Sequence, residues 1–250
     1  MPPRAPLRRS APRGTRHTAA GFIVRLKKMR SAPELRKLQR YFKSGEGEYG
    51  EGDIFIGVRM GHVFSLAKEF SDLAPDEIET LLESPIHEVR AGALRIMDAQ
   101  GRNNRTPESR RKELYELYLR RTDRINNWDL VDVSAAFVVG RYLSDKPRTI
   151  LTKLARSKSL WERRIAIVST SYFIRQGDIS DTFRIAEILR NDDEDLIHKA
   201  VGGWIRDAGK RDPEKLYSFL ERRGRTLPRT LLRYAIEKLD KKKREYFMNM

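Results

Sequence analysis

The sequence predicts an all-α fold in which helix pairs stack into a solenoid. Apolar residues recur at helical spacing, and the alternating apolar pattern of strands is scarce. One short pattern, a charged residue followed by small and aliphatic residues, returns after 42, 32, 35 and 34 residues. Such an interval is typical of HEAT-like or TPR-like helix pairs. A helical bundle without repeats is the alternative.

The helices are expected one after another from Ala32-Pro33 onward, joined by short links. The first has its apolar face at Leu35 and Leu38, and a glycine-rich loop over residues 44–53 follows it. Apolar runs mark the next helices, at residues 64–70, 78–82, 89–97 and 114–118. Asn127 is a good N-cap for a helix from Trp128 to about Leu143. Short helices continue to Tyr246.

The composition excludes several classes of protein. The 250 residues suffice for one large domain or two small ones. A run of about eighteen apolar residues is missing, which excludes a transmembrane helix. The lack of cysteine excludes disulfides, thiolate zinc sites and a cysteine nucleophile. Because the four histidines are scattered, we expect no metal site.

The charge is strongly positive and unevenly distributed. A net charge of +16 indicates a polyanionic partner, nucleic acid first and an anionic membrane surface second. Residues 1–30 carry nine Lys and Arg and no acidic residue, so the remaining 220 residues hold +7. We expect residues 1–30 to be a disordered basic tail and residues 31–250 to form a single HEAT-like domain. The tail is interpreted as a segment without a role, a DNA-grasping arm or an organelle transit peptide.

The recurring charged positions predict a row along one face of the solenoid. They are Arg90, Asp132, Arg164, Lys199 and Arg233. Four cations in a row suit a phosphate backbone. The carboxylate of Asp132 would repel the same phosphates, so it suggests either chemistry on the nucleic acid or a structural pair with Arg164.

Trp128 lies one helical turn before Asp132 and shares its helix face. An indole can pack against a sugar, stack with a base or attract a cation. A core tryptophan at a helix start is the alternative interpretation. Walker-type loops, dinucleotide fingerprints and serine nucleophile elbows are missing, which leaves kinases, NTPases and dehydrogenases without support.

Three stretches resemble the AlkD family, the HEAT-like-repeat alkylpurine DNA glycosylases of DNA alkylation repair. They are residues 49–59 (YGEGDIFIGVR), residues 127–132 (NWDLVD), and residues 160–167 (LWERRIAI) together with residues 197–202 (IHKAVG). The likeness extends from about residue 34 to residue 240. It implies a right-handed, C-shaped solenoid that holds duplex DNA in a basic concave face.

The resemblance also implies roles for individual residues. Asp132 matches the catalytic carboxylate of the family and Trp128 the tryptophan beside it. The resemblance and the row of charged positions together predict the residues that bind DNA. They are Arg164, Arg163, Lys199, Trp204, Arg90 and Arg59. The family has a second tryptophan where this chain has Gly203, and here Trp204 comes one residue later. On a helix that displacement is a rotation of about 100°, so the lesion range of this chain is open.

The function implied is hydrolysis of the N-glycosidic bond of cationic alkylated purines, of the 3-methyladenine and 7-methylguanine type, in duplex DNA. No pocket for a flipped base, no cofactor and no metal is expected. We expect a monomer that binds duplex DNA containing alkylated bases, binds no membrane and acts in the cytoplasm of a bacterium. Organelle targeting by the basic tail stays open. The alternative is a non-catalytic HEAT-repeat scaffold for nucleic acid or protein.

Overall fold

The computed structural model describes residues 17–43, 45–46 and 48–250, and every regular element in these ranges is helical. The helices are α1 (Ala19–Lys27), α2 (Ala32–Tyr41), α3 (Met60–Glu69), α4 (Pro75–Leu82), α5 (His87–Arg102), α6 (Glu108–Arg120), α7 (Trp128–Ala135), α8 (Thr149–Ala155), α9 (Leu160–Arg175), α10 (Ser180–Leu189), α11 (Asp195–Gly209), α12 (Pro213–Arg223), α13 (Arg229–Ile236) and α14 (Lys241–Asn249). Ile54 and Ile86 form an isolated β-bridge. The predicted all-α fold is confirmed.

The helices form two rows. In the inner row, α3, α5, α7, α9, α11 and α13 each pack against the next. In the outer row, α4, α6, α8, α10 and α12 each pack on a neighbouring inner helix. Contacts between helices that are close in sequence define a solenoid, so the predicted helical repeat is also confirmed.

The repeated charged positions all lie on the inner row. Their helices are α5, α7, α9, α11 and α13, in the order Arg90, Asp132, Arg164, Lys199 and Arg233. The small residues that follow allow close packing. At Gly202 on α11, an added Cβ would lie 2.5 Å from the carbonyl oxygen of Leu231 on α13, so no larger side chain fits between these helices.

Helix α7 begins as predicted but ends early. The side-chain oxygen of Asn127 accepts a hydrogen bond from the backbone N–H of Trp128 at 2.8 Å. After Ala135 the chain continues as a π-helical turn, Ala136–Gly140, where an α-helix to Leu143 was expected. The wider turn accompanies a close approach to α9, since a Cβ on Gly140 would lie 2.3 Å from the carbonyl oxygen of Ser169.

The prediction of disorder over residues 1–30 includes residues that form a helix. Residues 1–16 lie outside the described residues, but residues 17–30 are ordered and contain α1. Phe22 and Leu26 are fully buried in the main hydrophobic core. The prediction for this part was wrong because the basic side chains face outward, as when Arg25 pairs with Glu69, while the apolar side of α1 packs on α3 and α4.

A buried carboxylate anchors the long loop between α2 and α3, residues 42–59. The side chain of Asp53 is 2% exposed. It accepts hydrogen bonds from Nδ1 of His87 at 3.1 Å, from Nδ2 of Asn127 at 2.8 Å and from the guanidinium of Arg90. Nε2 of His87 lies 2.9 Å from a carboxylate oxygen of Asp129. These five side chains, the Asp53 cluster, join the loop to the starts of α5 and α7.

The charges within the Asp53 cluster reinforce one another. Burial by itself would lower the pKa of His87, but the charges and hydrogen bonds of Asp129 and Asp53 outweigh it and raise the pKa to about 9. Burial would raise the pKa of Asp53, yet the hydrogen bond and charge of His87, with Asn127 and Arg90, lower it below 3.8. At neutral pH the cluster therefore holds two cations and two carboxylates.

Glu88, the residue after His87, holds the end of the same loop. Its buried carboxylate accepts hydrogen bonds from the backbone N–H groups of Ile56, Gly57 and Val58, at 2.8–3.2 Å. Gly57 has φ of +80°, and a Cβ there would lie 2.3 Å from a backbone oxygen. The loop is therefore fixed at two places, by Asp53 and by Glu88.

Replacing Phe22 by Ala should destabilise the protein by about 3–5 kcal/mol, because it empties a fully buried aromatic site. Phe22 packs edge-on against Phe70, with the ring centroids 5.3 Å apart. Val24 on the same helix is 55% exposed, so Val24→Ala is the control and should be near neutral. Urea unfolding measures both, and equal effects would contradict the burial of α1.

Stability should fall between about pH 6.5 and pH 9. His87 has a raised pKa, so its contribution is complete below 6.5 and is lost as the pH rises through about 9. The loss amounts to at most about 3 kcal/mol. Urea unfolding across this range measures it, and His87→Gln should flatten the curve. The matched control is His62→Gln, because His62 is exposed on α3. A slope that survives in His87→Gln would contradict the assignment.

Candidate functional site

A cleft opens where the inner helices α7, α9, α11 and α13 meet the loop after α2. Its cavity volume is about 540 Å³. The lining residues are Tyr41, Lys43, Tyr49, Trp128, Asp132, Arg164, Leu196, Lys199, Ala200, Gly203, Trp204, Arg206, Asp207 and Tyr234. This aromatic–basic cleft brings together five residues that the sequence analysis singled out: Trp128, Asp132, Arg164, Lys199 and Trp204.

A second hollow, of about 650 Å³, lies among α3, α5 and α6. It is larger, but it contains neither an aromatic ring nor a predicted site residue. A binding site for a sugar or base needs apolar ring surface together with a few converging polar groups. The aromatic–basic cleft is therefore the candidate site.

At the centre of the cleft, Asp132 and Arg164 form a bidentate ion pair. Nε of Arg164 donates to Oδ1 of Asp132 at 2.9 Å, and Nη2 donates to Oδ2 at 2.8 Å. Nη1 donates to the carbonyl oxygen of Leu196 at 2.7 Å. The Asp132 side chain is 39% exposed and that of Arg164 only 9%. The carboxylate is thus accessible from the cleft, while the guanidinium behind it is covered.

Trp128 forms the wall beside this carboxylate. Its ring stacks on Phe42, with centroids 5.6 Å apart and planes inclined by 26°. Its Nε1 donates to the hydroxyl of Tyr49 at 3.3 Å. The ring is half-buried, so the tryptophan is at once part of a small aromatic cluster and part of the cleft surface.

Cations outnumber carboxylates along the cleft. Lys43, Arg164, Lys199 and Arg206 face only Asp132 and Asp207, which leaves +2. Lys199 pairs with Asp195 at 2.6 Å, and this hydrogen bond raises the pKa of the lysine. Lys43 has φ of 45°, and no carboxylate among the described side chains forms an ion pair with it. A cleft whose lining holds two more cations than carboxylates suits an anionic ligand.

The other predicted DNA-binding residues lie outside the cleft. Arg90 is 3% exposed and is bound by Asp53, Asn126 and two carbonyl oxygens. It is therefore part of the Asp53 cluster, because the loop after α2 covers this end of α5. Arg163 makes a bidentate pair with Asp192, at 2.6 and 3.1 Å. Arg59 is exposed and pairs with Glu34 at 3.2 Å.

Trp204 lines the cleft together with Gly203. Its indole is half-buried and packs partly on the hydrophobic core. A Cβ on Gly203 would meet only the guanidinium of Arg206, at 4.0 Å. The one-residue displacement therefore leaves an aromatic wall on α11 and opens space at the glycine.

Sequence reasoning gave no site role to six aromatic or charged lining residues: Tyr41, Lys43, Tyr49, Arg206, Asp207 and Tyr234. Tyr234 could have been predicted, since it directly follows Arg233, one of the repeated charged positions. Tyr41 ends α2, Lys43 and Tyr49 lie in the loop that follows it, and Arg206 and Asp207 lie two turns after Lys199 on α11. None of these positions follows from the repeat. Among the described residues, no helix is long and apolar enough to cross a membrane, and no group of three His, Asp or Glu side chains is close enough to hold a metal ion.

The comparisons with known proteins agree with this architecture. The sequence model of a family described as DNA alkylation repair enzyme matches residues 23–239. A solved structure described as a predicted DNA alkylation repair enzyme from Enterococcus faecalis superposes with a TM-score of 0.66 at 17% sequence identity, covering 85% of this chain and 98% of that one. No curated protein matches the sequence. The family match covers most of the chain, so this protein belongs to the DNA alkylation repair enzyme family.

Proposed function

We propose that this protein is a DNA glycosylase that hydrolyses the N-glycosidic bond of cationic alkylated purines in duplex DNA. One observation carries the proposal. An accessible carboxylate, Asp132, lies beside the indole of Trp128 in a net-positive cleft that spans four inner helices. A cleft that only bound phosphates would gain nothing from a carboxylate at its centre.

The chemistry suits these two groups. An N3- or N7-alkylated purine is cationic and leaves readily, taking the electron pair of the C1′–N bond. The deoxyribose becomes oxocarbenium-like, and a carboxylate can stabilise that cation and orient the water that attacks C1′. The indole of Trp128 can contact the same cationic sugar through its ring face. The products are the free base and an abasic site.

Arg164 would keep the Asp132 carboxylate in place. Each carboxylate oxygen accepts one bond from the guanidinium and retains a further lone pair for water or for the sugar. A carboxylate held by two bonds loses little freedom when the charge develops, and this favours electrostatic stabilisation of the transition state. Arg164 is in this proposal a positioning residue, because its side chain is covered.

A second candidate function, a non-catalytic HEAT-repeat scaffold for nucleic acid or protein, is favoured by the same ion pair. A carboxylate satisfied by a buried arginine can be purely structural, since removing either partner leaves the other charge uncompensated. The glycosylase releases base and depends on the Asp132 carboxylate to do so, whereas the scaffold releases no base and uses Asp132 only to pair with Arg164.

The partner in this proposal is duplex DNA with alkylated bases, bound mainly through its phosphates and without sequence preference. The enzyme works as a monomer, in the cytoplasm, and without a cofactor. Lys43 and Lys199 are the cleft cations best placed to meet phosphates, because Lys43 is exposed and the Lys199 side chain, although paired with Asp195, is more exposed than those of Arg164 and Arg206.

Asp132→Asn should lower the release of 7-methylguanine from methylated duplex DNA by about 10²–10³, because the stabilising charge is removed. The variant also leaves Arg164 buried without its counter-charge, which costs stability. The double variant Asp132→Asn with Arg164→Gln removes both charges, and it should fold better and remain inactive. Single-turnover base release and thermal melting measure the two effects separately.

Asp192→Asn supplies the matched control. Asp192 makes the same kind of bidentate pair with the neighbouring Arg163, outside the cleft. It should lose stability but retain its single-turnover rate at a temperature where the protein is folded. Undiminished base release by a folded Asp132→Asn protein would end the catalytic assignment of Asp132. A wild-type protein that releases no base would support the scaffold.

Lys43→Gln and Lys199→Gln should each weaken binding to undamaged duplex DNA and reduce the salt slope by roughly one unit. Affinity measured between about 50 and 200 mM salt gives the slope. Lys112→Gln on the outer helix α6 is the control, since Lys112 is exposed and does not line the cleft. Equal slopes for all three variants would argue against phosphate binding in the cleft.

A further inference from the structure

Tyr49 is a cleft residue to which the proposed function assigns no role. It lies in the loop over residues 42–59, four residues before the buried Asp53. Asp53 fixes this part of the loop to His87 on α5 and to Asn127, the residue that caps α7. Tyr49 is therefore presented to the cleft by a segment that is bound to the start of the helix carrying Trp128.

The hydroxyl of Tyr49 joins two other cleft residues. It accepts a hydrogen bond from Nε1 of Trp128 at 3.3 Å and donates one to the carbonyl oxygen of Tyr41 at 3.2 Å. The indole N–H has no acceptor capacity and only one direction of donation. A partner in that direction therefore selects one orientation of the ring.

Aromatic contacts restrict the same indole but do not replace this hydrogen bond. Phe42 stacks on Trp128, and Tyr41 meets it edge-on, with centroids 5.7 Å apart and planes inclined by 67°. Stacking tolerates rotation of a ring within its own plane, whereas a hydrogen bond to Nε1 does not. Phe42 thus sets the plane of the indole, and Tyr49 sets its rotation within that plane.

We propose that Tyr49 is a positioning residue that holds the indole of Trp128 in the orientation needed to face the deoxyribose of the lesion. This inference rests on the proposed glycosylase function. In this proposal the loop residues 45–46 and 48–53 support the indole of Trp128. Asp53 binds this segment to α5 and to Asn127, and the hydroxyl of Tyr49 binds it to the indole. Tyr49 does not contact the reacting atoms.

The test is Tyr49→Phe, which removes one oxygen atom and keeps the ring. The indole N–H resonance of Trp128, assigned by its loss in Trp128→Phe, should shift, and its hydrogen exchange should accelerate about tenfold or more. The indole resonances of Trp161 and Trp204 should stay in place. Single-turnover base release from methylated duplex should fall about five- to tenfold, while affinity for undamaged duplex and the melting temperature stay nearly unchanged.

Tyr246→Phe is the matched control, because the Tyr246 hydroxyl also donates one hydrogen bond, to Glu221 at 3.2 Å, outside the cleft. It should change neither the Trp128 resonance nor the rate. A purely structural role for Tyr49 would predict a loss of melting temperature with no selective effect on Trp128.

A double-variant cycle decides whether Tyr49 acts through Trp128. In a Trp128→Phe background the donor is gone, so adding Tyr49→Phe should have no further effect on the rate. An equal loss in both backgrounds, or an unmoved Trp128 resonance in an active protein, overturns the positioning role. A wild-type protein that releases no base overturns the proposed function, and the role of Tyr49 in catalysis with it.

Discussion

The buried carboxylate of Asp53 is the constraint on which the functional end of this molecule depends. A charge that is 2% exposed is tolerated only where cations and hydrogen-bond donors surround it. Here His87 and Arg90 come from α5, and Asn127 comes from the start of α7. The described residues of the loop after α2 form neither a helix nor a strand, so their path across the cleft follows from this one side chain and from the amides held by Glu88.

Two ion pairs hold helix α7, one to each of the inner helices beside it. Asp129 meets His87 on the preceding inner helix, and Asp132 meets Arg164 on the following one. Asp129 and Asp132 are only three residues apart, and their partners lie on two different helices. Together the two pairs fix the rotation of α7 about its own axis. Trp128 begins the same helix, and its ring direction is thereby tied to both neighbours. The helix that carries Trp128 and Asp132 is therefore bonded to a helix of each neighbouring repeat.

Much of this arrangement could be predicted from the sequence. The repeated charged position placed Asp132, Arg164 and Lys199 on successive inner helices, and the Asn127 cap marked the start of α7. These features are local, since each depends on spacing within one helix or on one repeat step.

What could not be predicted depends on partners far along the chain. Arg90 occupies the same repeat position as Arg164, yet Asp53, thirty-seven residues before it, removes it from the surface. Arg163 is withdrawn in the same way by Asp192. Helix α1 was missed because its three buried side chains, Ala19, Phe22 and Leu26, are few among many cations. A repeat pattern shows which residues occupy equivalent positions on successive helices. Segments outside the pattern, such as the loop that carries Asp53, determine which of these residues stay exposed.

The pair of Asp132 and Arg164 has a mechanical consequence. Its two hydrogen bonds, 2.9 and 2.8 Å long, span the step between α7 and α9. A solenoid flexes by small changes at each such step, and a separation of 1 Å at this one would stretch both bonds beyond hydrogen-bonding distance. The pair is therefore sensitive to curvature, because a bend that moved α7 and α9 apart by this amount would break both of its hydrogen bonds. A ligand that straightens or tightens the solenoid alters the carboxylate without touching it.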